Sequence, residues 1–137
     1  MARPLAGDEL RTLVASSDAF VLPTRGEGFG LTFLGAMALG VPPICTGAGG
    51  HMDFCAEDNA YLVRSSSVPC LASWDVPLFR ESRWQEVDHD DLVQAMTLAA
   101  SDQALRAEKG HASLLRAARF HDSNGAGTPT ELALRLL

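Results

Sequence analysis

The sequence predicts an α/β fold in which a short parallel sheet is covered by helices on both faces. Three apolar runs, over residues 19–22, around Ile44 and Cys45, and over 60–63, are continuous rather than alternating. Strands buried on both sides read that way. Segments of helical period lie between and after them, which is the pattern of strands joined by crossover helices. At 137 residues there is one domain's worth of chain, and 47% hydrophobic with 20% charged residues is ordinary for a soluble globular protein.

Acids in the first turn favour a helix over 8–15, with Leu10, Leu13 and Val14 on the predicted inward face. Residues 19–22 form a strand that Pro23 stops. The following loop carries glycines at 26, 28 and 30 and opens into a helix over 31–39. That helix is apolar on every side except Thr32, so it must be buried around most of its circumference. Gly40 ends it, and Val41-Pro42-Pro43 leads into the second strand. A second glycine loop, 47–50, precedes a turn of helix predicted near 53–56, and 60–63 is the third strand.

Residues 64–87 contain three consecutive serines, two prolines, Trp74 and Trp84 without sustained period. They are expected to form a long irregular excursion, functional or mobile in character. Asp88 or Asp90 caps a helix with Leu92, Val93, Met96 and Ala99 inward. Asp102 caps another, running to about His121, with Leu105, Leu115 and Ala118 inward. A linker over 123–128 and a last helix over 129–137 complete a helical tail. About three strands make a thin doubly wound sheet, so the chain is expected to be a single partial domain of something larger.

A net charge of −6 and a pI near 5.0 argue against nonspecific binding to nucleic acid or an anionic membrane. Lys109 is the one lysine, and no basic cluster with interleaved aromatics occurs. No stretch approaches the roughly 20 apolar residues of a bilayer span, and the start carries no signal-peptide run. The expected location is cytoplasmic, including the cytosolic face of a membrane. Cys45, Cys55 and Cys70 are too widely spaced for a Cys-x-x-Cys motif and read as reduced thiols.

The loop from Gly26 to Gly30 is the strongest candidate site. Small residues let backbone approach an anion, and free N–H groups at a helix start point at it. A tight turn needing positive φ would explain one or two glycines; three at alternate positions favour a ligand loop. Two nucleotide motifs are excluded: Gly30 is followed by Leu31 and Thr32 rather than Lys-Ser/Thr, and Phe33 stands where a dinucleotide fingerprint needs glycine or alanine. Glu27 reads equally as an acid near a helix N-terminus or as an acceptor for sugar hydroxyls. The 47–50 loop reads as a turn or as a second place of close ligand approach. For His51, a surface or hydrogen-bonded role is favoured over catalysis. The Asp88-His89-Asp90-Asp91 run is better explained by helix capping than by a metal.

Taken together, residues 23–40, extended through 41–53 and 59–63, resemble the C-terminal half of retaining GT-B glycosyltransferases, specifically glycosyltransferase family 4. The residues that carry the likeness are Gly28-Phe29-Gly30-Leu31 after Glu27, then Ala36-Met37-Ala38-Leu39-Gly40-Val41-Pro42. The resemblance implies a Rossmann-like three-layer domain and a donor site for a nucleoside-diphosphate sugar. It places Gly26, Gly28, Phe29, Gly30 and Leu31 at the diphosphate and matches Glu27 to a catalytic-site glutamate that contacts the donor sugar. It further implies transfer with retention to a glycan, lipid or protein acceptor, no metal cofactor, and an N-terminal acceptor-binding domain that would precede residue 1. The chain departs from the family at the second glutamate, which binds the nucleotide ribose: that position is Gly35. The family's upstream Arg and Lys would also precede residue 1, and Arg25 does not match them. Two rivals follow: a non-catalytic sugar-nucleotide-binding or interaction module, and an unrelated Rossmann-like domain for another cofactor such as NAD.

Overall fold

The computed structural model describes residues 6–70 and 82–123, with side chains described up to residue 120. The elements run α1 (Gly7–Ala15), β1 (Phe20–Leu22), α2 (Leu31–Ala38), β2 (Pro43–Thr46), a 3₁₀ turn (Gly50–Asp53), β3 (Tyr61–Val63), β4 (Ser65–Pro69), β5 (Arg83–Val87), α3 (His89–Ser101) and α4 (Gln103–Ser123). Strands β1, β2 and β3 form a parallel sheet in that order, with Val21 opposite Ile44 and Ile44 opposite Tyr61. The central strand is buried along its whole length.

Alternation along the strands assigns the two faces. On one face Ile44, Tyr61 and Val63 pack against Ala99 of α3, joined by Leu92, Ala95 and Leu105. On the other, Cys45 and Ala60 pack with Phe33, Leu34, Met37 and Ala38 of α2, Phe54, Cys55, and Ala117 of α4. The result is the expected layered α/β fold, a Rossmann-like half-domain with helices on both faces. Val14 of α1 closes a third cluster with Ala36 and Val41.

Local chemistry explains the boundaries. Gly30, at φ +96°, is the left-handed residue before α2. Gly40, at φ +75°, ends it: Gly40 N–H bonds to Met37 O (2.9 Å) and Val41 N–H to Ala36 O (3.0 Å). That paired closure is a Schellman motif, which needs positive φ and so favours glycine. Asp88 caps α3, its Oδ1 accepting from Asp91 N–H at 3.1 Å. Asp102 caps α4 through Leu105 N–H at 2.9 Å. The acids around residue 90 are therefore helix-start residues, and Asp91 also binds Arg64 N–H at 2.6 Å.

Several expectations are corrected. The segments Ser65–Pro69 and Arg83–Val87, expected to be irregular, pair as antiparallel strands from Ser65 opposite Val87 to Pro69 opposite Arg83. The turn of helix near 53–56 instead lies at Gly50–Asp53. Leu13, Val93, Met96 and Leu115, expected inward, are exposed. In α3 the sheet-facing set is Leu92, Ala95 and Ala99, and in α4 Gly110, Ser113 and Ala117 are buried, Ala117 in the apolar core. Trp74 and the last helix over 129–137 lie outside the described residues.

Candidate functional site

The corner between β1 and α2 gathers the residues singled out in the sequence. Its loop is anchored beneath by Thr46, whose hydroxyl donates to Thr24 O at 2.7 Å. The second glycine loop docks on it from below: Gly50 N–H donates to Glu27 O at 2.9 Å. A Cβ on Gly50 would lie 1.9 Å from Gly28 O, so only glycine lets the two backbones touch. Gly50 thus serves loop-to-loop packing, which resolves the 47–50 loop in favour of structure at that position.

Gly26 and Gly28 differ from the other loop glycines. A Cβ at either would meet nothing within 4 Å, and neither has positive φ. Neither packing nor backbone conformation requires glycine there. What the missing side chains leave is open space beside exposed backbone. The α2 entry next to it has no side-chain cap. Its first intrahelical bond is Leu34 N–H to Gly30 O (3.1 Å), so the N–H groups of Leu31, Thr32 and Phe33 precede the helix's own hydrogen-bond ladder.

Phe29 N–H donates to Glu27 Oε1 at 3.2 Å. This is a local contact between the loop carboxylate and the amide two residues on. The Phe29 ring is 40% exposed and leans on Phe54 (5.7 Å between centroids) and Phe120 of α4 (5.8 Å). Leu31, the first residue of α2, is 52% exposed. Gly35 is buried within α2, one turn beyond Leu31 and on the same side of the helix.

Arg25 leaves the corner. Its Nε and Nη2 lie 3.0 Å from the two oxygens of Glu86, its guanidinium sits 4.5 Å over the Trp84 ring, and Gln85 N–H donates to its carbonyl at 2.8 Å. Strand β5 therefore braces the loop and neutralises its nearest cation. Sequence reasoning missed this because the partners stand 61 residues apart.

Beneath the corner lies His51, fully buried, its Nε2 2.7 Å from Thr46 O and its ring 4.7 Å from that of Phe33. The hydrogen-bonded role expected for it holds; a surface role does not. Burial disfavours its charged form, but Cys45, the Thr46 carbonyl and the Glu27 charge outweigh this and raise its pKa above 6.5. Cys45 is drawn below the usual thiol range, chiefly by Cys55 and also by His51, whereas Cys55 is pushed up. Cys45 and Cys55 are buried free thiols, and Cys70 is half-buried. Among the described residues no group of three or more His, Cys, Asp or Glu is disposed to hold a metal ion, and no helix is long and apolar enough to cross a membrane.

A layered parallel sheet whose first strand feeds a glycine loop and an uncapped apolar helix defines a class, the Rossmann-like α/β domains. The chain belongs to the family "Glycosyl transferases group 1", whose profile matches residues 3–73, just over half of the sequence. Over 55 residues it is 46% identical to the sulfoquinovosyl transferase SQD2 of Arabidopsis thaliana, covering 40% of this chain and 11% of that protein. Over 88 residues it is 31% identical to TuaC of Bacillus subtilis (strain 168), a glycosyltransferase assigned to teichuronic acid biosynthesis, covering 64% of this chain and 23% of that protein. The chain thus matches less than a quarter of the length of either relative.

Proposed function

We propose that this chain is the donor-binding part of a retaining glycosyltransferase that transfers a sugar from a nucleoside diphosphate to a glycan, lipid or protein acceptor. One observation carries the reading: Gly26 and Gly28 keep open space beside exposed backbone where nothing in the fold demands glycine. The diphosphate sits there, accepting hydrogen bonds from the N–H groups of Gly28, Phe29, Gly30 and Leu31. Phosphate displaces the Glu27 carboxylate from Phe29 N–H, and like-charge repulsion turns that carboxylate towards the hydroxyls of the donor sugar. Charge building on the leaving diphosphate is met by the positive end of α2 without side-chain reorganisation. The acceptor is presented by another domain of the working enzyme. The transferred group of SQD2, by its name a sulfoquinovosyl unit, is consistent with a sugar-nucleotide donor.

A second reading, a sugar-nucleotide-binding module without transfer, is favoured by two features: Gly35 in place of a ribose-binding acid, and Arg25 neutralised by Glu86. Calorimetric titration with UDP- and GDP-sugars against NAD tests the donor site itself. Heat with a nucleotide sugar is expected; heat with NAD alone overturns the reading. Sugar transfer in the same preparations, measured with a labelled donor, separates enzyme from module.

A further inference from the structure

We propose that His51 is a positioning residue of the donor loop: as the imidazolium it donates Nδ1–H to the Glu27 backbone carbonyl and latches the glycine loop in the form that receives the diphosphate. The proposal rests on the donor-binding reading above. A carbonyl can only accept, so the 2.7 Å contact with Thr46 O fixes a proton on Nε2 in every state of the ring. Nδ1 is then the atom that gains or loses a proton. It is buried without a hydrogen bond of standard geometry, with the Cys45 side chain as the neighbour that competes for its proton.

A Cβ on Gly49 would lie 3.1 Å from Nδ1 and 3.3 Å from Glu27 O, so both atoms border the space a Gly49 side chain would fill, and no hydrogen bond joins them in this form of the protein. The Glu27 carbonyl already accepts from Gly50 N–H and keeps a second lone pair. A Cβ on Gly30 would lie 2.7 Å from His51 Cβ, so the same residue also supports the α2 entry. One ring therefore underlies both glycine loops and the helix start. The titratable groups that face it are Glu27 from the loop and Cys45 from β2, with Cys55 paired to Cys45. Protonation adds a bond to the loop and a positive charge under the anion site. By linkage, binding the diphosphate must then draw a proton onto His51.

The probe is UDP-glucose or GDP-mannose, whichever binds at neutral pH. Their diphosphate is doubly esterified and does not ionise between about pH 6 and about pH 8.5, so any pH dependence there belongs to the protein. Affinity is expected to fall about tenfold as pH rises through the His51 pKa, one pKa unit of coupling. Calorimetry in two buffers of different ionisation enthalpy should show proton uptake, and the His51 imidazole NMR signals should titrate at higher pH with ligand bound. His51→Gln retains a donor for Thr46 O but cannot ionise, so its profile should be flat and its affinity weak; Cys45→Ala should keep a fall in affinity with its midpoint moved to lower pH, because Cys45 helps to raise the His51 pKa. A flat wild-type profile, a slope that survives in His51→Gln, or one that vanishes in Cys45→Ala overturns the latch. Should His51→Gln not fold, an imidazole pKa in the wild type that ligand leaves unmoved overturns it equally. Binding without pH coupling sinks the latch alone, whereas no binding at any pH sinks the donor-site reading beneath it.

Discussion

Replacing Gly28 with alanine separates a ligand loop from an ordinary turn. The new methyl would meet nothing within 4 Å, and φ at this position is not positive. Strain is therefore absent, and the lower entropy of the unfolded chain should stabilise the fold by about 0.4–1 kcal/mol. For a domain of this size that raises the melting temperature by about 1–5 °C. A diphosphate pressed against the same backbone would meet the methyl directly. Losing one charge-assisted N–H···O–P bond costs about 1.5–3 kcal/mol, or roughly ten- to a hundredfold in affinity. Gly26→Ala should behave alike. Gly50→Ala is the contrasting control, because its Cβ would sit 1.9 Å from Gly28 O. Overpacking of about 1–3 kcal/mol, added to loss of the Gly50–Glu27 bond at about 0.5–1.5 kcal/mol, should lower stability and affinity together. Thermal unfolding by circular dichroism and titration with a nucleotide sugar give both quantities. Were Gly28→Ala to bind as tightly as wild type, the glycine would not mark the anion's place.

Three further outcomes follow from other contacts. Gly35→Glu should tighten nucleotide binding by roughly tenfold or more, since a side chain there tilts back towards the α2 start and can reach a ribose; unchanged or weaker affinity on titration shows that position 35 does not face the nucleotide. Glu86→Gln releases the Arg25 charge beside the loop, so nucleotide-sugar affinity should rise several-fold at low salt and lose that gain at high salt. Stability should move by less than about 1 kcal/mol in urea unfolding, because the pair is exposed. The Asp91 carboxyl is held below its ordinary 3.8, first by Arg64 N–H and then by the Arg64 side chain. A depressed carboxyl stabilises the fold above its unfolded value and loses that effect as pH falls through the folded one. The stability difference between wild type and Asp91→Asn, followed by urea unfolding, should thus be constant at neutral pH and shrink below about pH 4; a difference that persists at the lowest pH would refute the carboxylate's part.

The sequence by itself determined the three parallel strands, the four described helices and the glycine corner between β1 and α2. Continuous apolar strands, the glycine after α2, and acids ahead of α3 and α4 act through bonds and sterics within a few residues, so spacing alone exposes them. Helical spacing placed Leu10, Leu92 and Ala99 correctly but admitted Leu13, Val93 and Met96 to the same stripe. The width of a buried stripe is set by the element it packs on, which spacing does not contain. The pairing of Ser65–Pro69 with Arg83–Val87 was invisible because neither segment alternates, and its register depends on closing the chain between them. Likewise only the tertiary structure could give Arg25 to Glu86, bury His51 under two loops, and make Gly50 a point of backbone contact while leaving Gly28 open. Two glycines that look identical as letters differ because one faces another backbone and the other faces space.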